Sequence, residues 1–129
     1  MKIEIKLDKQ AIQAIENAAR KAAVVAMEKL YKDLKDSETM PFADGDMQND
    51  QTYVAVDGED TVNGEDVYFV TLVTGSPQAR RLYYHPEYQF QQGHNDNAGG
   101  LWLEPYINGD KKDFVQTEFI KVFKEKSGI

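Results

Sequence analysis

Apolar and polar residues alternate singly at the start of the chain. Ile3, Ile5 and Leu7 fall on one side, and Lys2, Glu4 and Lys6 on the other. A period of two predicts a half-buried strand over 1–7, charged on its outer face as an edge strand is. At Asp8 the period changes. Ile12, Ile15, Ala19, Ala22, Ala26 and Leu30 recur at helical spacing, which predicts a helix to about Lys35 with Asp8 as its N-cap. Ala11, Ala14, Ala18 and Ala23 widen the stripe. Their small side chains suit close packing, against a sheet or against a neighbouring subunit.

Residues Asp36 to Asp50 break the pattern: Pro41 disfavours helix before it, and Gly45 among aspartates marks a turn. Phe42 and Met47 are apolar anchors in this polar stretch. Gln51–Asp57 and Val67–Thr74 are rich in β-branched and aromatic residues and predict two strands. GEDTVNGED lies between them, with Asn63-Gly64 as turn signal, so an antiparallel hairpin with an extended tip is expected. A short helix over Gln78–Tyr84 follows, then a long loop from His85 to Gly100, then a helical turn within Leu101–Ile107. After Gly109, Asp110 is the expected cap of a last helix to about Lys126. Its apolar face is Phe114, Val115, Phe119, Val122 and Phe123, and Gly128 stops it. The order reads as α+β: a small antiparallel β-sheet packed against a long N-terminal helix and a C-terminal helix, one domain spanning 1–129.

Composition narrows the function. There is no cysteine, which excludes disulfides and thiolate metal sites. No run approaches the roughly 20 apolar residues of a membrane span, and the first residues lack a signal-peptide core. Synthesis in a cytoplasm is expected. A net charge of −7 argues against a nucleic-acid-binding surface, although it does not exclude a ring whose lumen repels DNA so that DNA slides through.

Candidate chemistry is sparse. The aspartates of ADGDMQND and DGEDTVNGED lack EF-hand spacing: counted from Asp44, position six is Asn49 and position twelve is Ala55. His85 and His94, with Glu87 and Asp96, are the one set from which a metal-dependent hydrolase could be built, and they match no ligand spacing. Ser37, Ser76 and Ser127 sit in no G-x-S-x-G setting, and Gly99-Gly100 is no phosphate loop. No catalytic, cofactor or metal residue is assigned, and a non-enzyme is expected. The pattern that remains is Arg80, Arg81, Tyr83 and Tyr84, residue types that combine apolar area with directed hydrogen bonds at protein interfaces. Phe42, Met47, Tyr88, Phe90 and Trp102 extend this candidate interface.

The run ARRLYYHPEYQF, the later NAGGLW and the upstream MPFADGDMQND resemble the minor capsid proteins of long-tailed bacteriophages and prophages. The resemblance covers most of the chain, including the order of long helix, acidic Gly45 element, strands, aromatic run and final helix. It implies a virion structural protein at the head–tail connector, in the neck or tail-completion position, made in the bacterial host cytoplasm. The implied partners are other phage neck and tail proteins and further copies in a ring, with DNA passing through the channel but no sequence-specific nucleic-acid contact and no membrane. A tail terminator or head-closure protein is the near alternative. A cytosolic phage-encoded module that binds a host protein is the alternative of another class. A ring subunit needs two different surfaces, and the aromatic/arginine segment and the Ala-rich helix are the two expected. The loops 36–50 and 85–100 are expected to order on assembly.

Overall fold

The computed structural model describes residues 1–6, 8–41, 52–90, 92–93, 95 and 97–128. Its first element, α1 (Lys9–Asp36), begins where the sequence places it: the Asp8 carboxylate accepts from the amides of Gln10 (3.0 Å) and Ala11 (3.2 Å). Two of the otherwise unpaired first-turn donors are thereby satisfied. The buried stripe is Ala18, Ala22, Ala26, Leu30 and Leu34, slightly rotated from the expected one. Ile12 and Ile15 remain exposed, as does every residue from Lys9 to Asn17.

The main partner of α1 is the C-terminal helix α4 rather than the sheet. Val122 of α4 is buried, and Val115, Phe119 and Phe123 are half-buried, with the last two rings stacked at 6.0 Å. Alanines at three successive stripe positions let the two backbones approach. Lys29 Nζ meets Glu118 Oε2 at 2.9 Å across the pair. The pair is partly exposed, so it fixes orientation more than it stabilises.

Helix α4 runs from Phe114 to Ser127 and starts later than expected. Asp110 does not cap it, because residues 110–113 form turns rather than helix and the Lys112 amide that a cap would take donates instead to the Gly109 carbonyl (3.3 Å). Gly109 N–H donates to the Glu104 carbonyl and Lys111 N–H to the Pro105 carbonyl, folding this segment back over the short helix α3 (Glu104–Ile107). At the other end Gly128 takes the left-handed conformation (φ 74°), as a helix stop requires.

Strands β1 (Thr52–Val62) and β2 (Glu65–Thr74) form one antiparallel hairpin, with Leu72 opposite Val54. Both strands are longer than expected, and the extended tip is replaced by a two-residue turn. Asn63 (φ 53°) and Gly64 (φ 81°) both adopt left-handed values, the geometry that matches strand twist in tight hairpins. A bulge interrupts β1 between Val56 and Gly58.

The expected strand over 1–7 is not formed: residues 1–6 belong to no strand, and among the described residues the sheet has two strands. The segment lies ahead of the exposed first turns of α1. Ile3 and Ile5 are each 79% exposed.

The central cluster lies at the C-terminal end of α1. Leu34, Met40, Ala79 and Trp102 are buried there, with Leu72, Leu82, Tyr83, Leu103 and Tyr106 packed around them. The end of the long loop straps onto the exit of α1. Asn97 N–H donates to the Glu38 carbonyl, Gly99 N–H to Thr39, and the Asn97 side chain to the Ser37 carbonyl. These bonds tie this part of the loop to α1 within the single chain. Residues 42–50, including Phe42 and Met47, lie outside the described residues. No described helix is long and apolar enough to cross a membrane.

Candidate functional site

The candidate surface is built on α2 (Ala79–Tyr83), which starts three residues after Ser76 turns the chain out of β2. Ser76 accepts the Ala79 amide on its carbonyl (3.1 Å) and the Gln78 amide on its hydroxyl (3.3 Å). One helical turn then sorts the side chains. Ala79 is buried and Leu82 and Tyr83 half-buried, while Arg80, Arg81 and Tyr84 face outward.

Tyr83 couples the two sides. Its ring meets Trp102 edge-on at 4.8 Å and Tyr84 edge-on at 5.1 Å. Such edge-to-face pairs add about 0.5–1.5 kcal/mol beyond area burial. Burial, and then the charge of Glu104, push the Tyr83 hydroxyl above its ordinary value. Tyr84, 65% exposed, is thus held up from below by a buried aromatic column.

Two open grooves meet at Arg80 and Tyr84. One, of about 530 Å³, is lined by Pro77, Arg80, Arg81, Tyr84 and His85. The other, of about 480 Å³, runs between Leu72 and Thr74 of β2 and Tyr83, Leu103 and Ile107. Neither arginine forms an ion pair among the described residues. Beyond them His85 Nδ1 lies 2.7 Å from Glu87 Oε1, and its ring stacks on Tyr88 at 4.7 Å. The bond to His85 holds the Glu87 carboxyl below its ordinary range. The surface can therefore offer guanidinium groups to carboxylates or carbonyls and aromatic faces to apolar side chains.

The expected interface residues separate into three groups. Arg80, Arg81, Tyr84 and Tyr88 are exposed together, with Phe90 half-buried. Trp102 is 4% exposed and belongs to the core, which corrects its reading as a contact residue; Tyr83 is largely its support. Phe42 and Met47, like His94 and Asp96, lie outside the described residues.

Sequence reasoning passed over Gly100 and Asn95. A side chain on Gly100 would stand 2.9 Å from the Tyr83 carbonyl oxygen, 3.0 Å from that of Leu82 and 3.0 Å from Pro86 Cα. Only glycine lets the loop pass behind α2, where Leu101 N–H donates to the Tyr83 carbonyl (2.9 Å) and Trp102 turns inward. The GGLW run is thus a packing element. Asparagine clustering in NDNAGG was the available signal for the strap, since these side chains readily bond to nearby backbone. Also unread was Asp33, which accepts from Tyr106 Oη (2.6 Å) and Lys111 Nζ (2.9 Å) and so ties α1 to α3. No protein-family model, curated protein or solved structure matches this chain.

Proposed function

We propose that this chain is a structural protein of a tailed-bacteriophage or prophage virion, acting at the head–tail connector by assembling in a ring with copies of itself and with other neck and tail proteins. The observation that carries the reading is the ARRLYYHPEYQF run: its outward residues Arg80, Arg81, Tyr84 and Tyr88 form one exposed face. This is the run on which the resemblance to minor capsid proteins rests most strongly. The face is wide and shallow, suited to a protein surface more than to a small substrate. Tyr84 is braced on Tyr83, itself set against Trp102, and Tyr88 on His85, which limits the entropy lost on docking.

A closing ring needs a second, different surface on each subunit. The first turns of α1, exposed from Lys9 to Asn17 with Ile12 and Ile15, are available for that role. The test is an early stop codon in the gene of an inducible prophage, with the lysate viewed by negative-stain electron microscopy. Filled heads accumulating apart from finished tails support the connector role. Normal infectious particles overturn it.

A further inference from the structure

We propose that residues 1–6 form an assembly strand that pairs with the open edge of β2 in a second copy of this chain. Three observations converge on that occupant. First, the segment has the alternation of a half-buried strand yet is unpaired, with Ile3 and Ile5 each 79% exposed. Two isoleucines so close together in water forgo the stabilisation that burial gives them elsewhere.

Second, among the described residues the hairpin has no further strand. It is two-stranded, with Tyr53 50% and Phe69 38% exposed on its outer face. An isolated two-stranded ribbon is marginal in water, and a third strand is its ordinary completion. The bulge between Val56 and Gly58 interrupts the edge of β1, whereas β2 pairs without irregularity over its 10 residues. β2 is therefore the edge prepared for addition.

Third, charge and reach favour a neighbour. From Thr52 to Thr74 the sequence holds Asp57, Glu59, Asp60, Glu65 and Asp66 and no lysine or arginine, while the segment offers Lys2 and Lys6 against Glu4. The overhang of α1 from Lys9 to Asn17 adds roughly 13 Å of helix beyond the last buried turn. Six extended residues add roughly 20 Å more. The arm so formed stands beyond the buried stripe of α1, and its exposed Ile12 and Ile15 would follow the strand onto the same neighbour. The inference does not use Arg80–Tyr88 and holds for any self-assembling form of the chain, whether or not the virion reading survives.

The chain has no cysteine, which makes a cross-linking test clean. Full-length K6C and T71C, one bearing a size tag, are mixed and treated with a short bismaleimide. A K6C/T71C double variant is treated in parallel at high dilution. The expected result is a mixed dimer from the single variants. Its yield should fall by more than tenfold when I3K and I5K are added to the K6C chain, a loss set by the two isoleucines that pairing buries. Circular dichroism checks that I3K/I5K keeps its helices. The proposal is overturned if the mixed dimer does not form, if I3K/I5K leaves its yield unchanged, or if the double variant cross-links only within one chain.

Discussion

The side-chain amide of Asn95 donates to the main-chain carbonyl of Met40 at 2.8 Å, across 55 residues of sequence, and both residues are buried. This bond fastens the end of the long loop to the exit of α1 at the point where the core begins. Everything carried by the next residues, from Gly100 behind α2 to Trp102 beneath Tyr83, starts from that fixed point. The exposed Arg80–Tyr84 face is thus set by a polar contact on the far side of the core.

Asn95→Ala leaves a buried carbonyl without its donor, which costs about 1–3 kcal/mol. Asn95→Asp should cost more near neutral pH, because a carboxylate would face the carbonyl oxygen. Urea unfolding followed by tryptophan fluorescence gives both values. A change under about 0.5 kcal/mol for the alanine variant would show that the strap does not depend on this bond.

Trp102 and Tyr84 should part company under truncation. Trp102→Ala empties the central cluster and is expected to cost about 3–5 kcal/mol. Tyr84→Ala removes a ring that is 65% exposed, and should alter stability by no more than about 0.5 kcal/mol while weakening particle assembly. The comparison needs urea midpoints for both and a particle count for the second. If Tyr84→Ala unfolds the chain, the face is part of the core and not a docking surface.

Two glycines of the same loop make a further contrast. A Cβ at Gly93 meets nothing within 4 Å, whereas one at Gly100 meets three backbone atoms at 3.0 Å or less. Gly93→Ala is expected within about 0.5 kcal/mol of wild type. Gly100→Ala must push the loop off α2 and should cost about 1–3 kcal/mol. Thermal unfolding of the two variants side by side reads the difference.

Local signals were legible in the sequence. The Asp8 cap, the Asn63-Gly64 turn and the Gly128 stop each depend on a few adjacent residues, and each is where the pattern places it. Contacts between distant residues were not. Nothing near Asp33 announces Tyr106 and Lys111, 73 and 78 residues later. Alternation in Met1–Lys6 says which side seeks burial but not which strand will pair with it. Asp110 looks like a helix cap until the Gly109 carbonyl takes the amide of Lys112. Trp102 misled for a different reason: an aromatic residue between loop residues has the same composition in a core as at an interface.

The Asp33 cluster should make stability fall at both ends of the pH range. Tyr106 Oη and Lys111 Nζ both donate to Asp33 Oδ2. The bond from Tyr106, followed by the bond and charge of Lys111, holds the Asp33 carboxyl below its ordinary 3.8 against the opposing effect of burial. A depressed carboxyl binds protons more readily when unfolded. Its contribution is therefore complete above about pH 4 and is lost as the pH falls through the folded value. Tyr106 behaves in the opposite sense: burial first, and then the Asp33 carboxylate, raise its hydroxyl above the ordinary 10.0. That contribution is complete below about pH 10 and is lost as the pH climbs towards the folded value. Unfolding free energies measured in urea at acid, neutral and alkaline pH should show both losses in the wild type. Asp33→Asn should reduce the acid loss, and Tyr106→Phe should reduce the alkaline one, each beside a lower stability at pH 7 from the broken bond. Acid and alkaline slopes that stay unchanged in both variants would mean that the three groups do not meet in solution, and that α1 and α3 are joined by the apolar cluster around Leu34 alone.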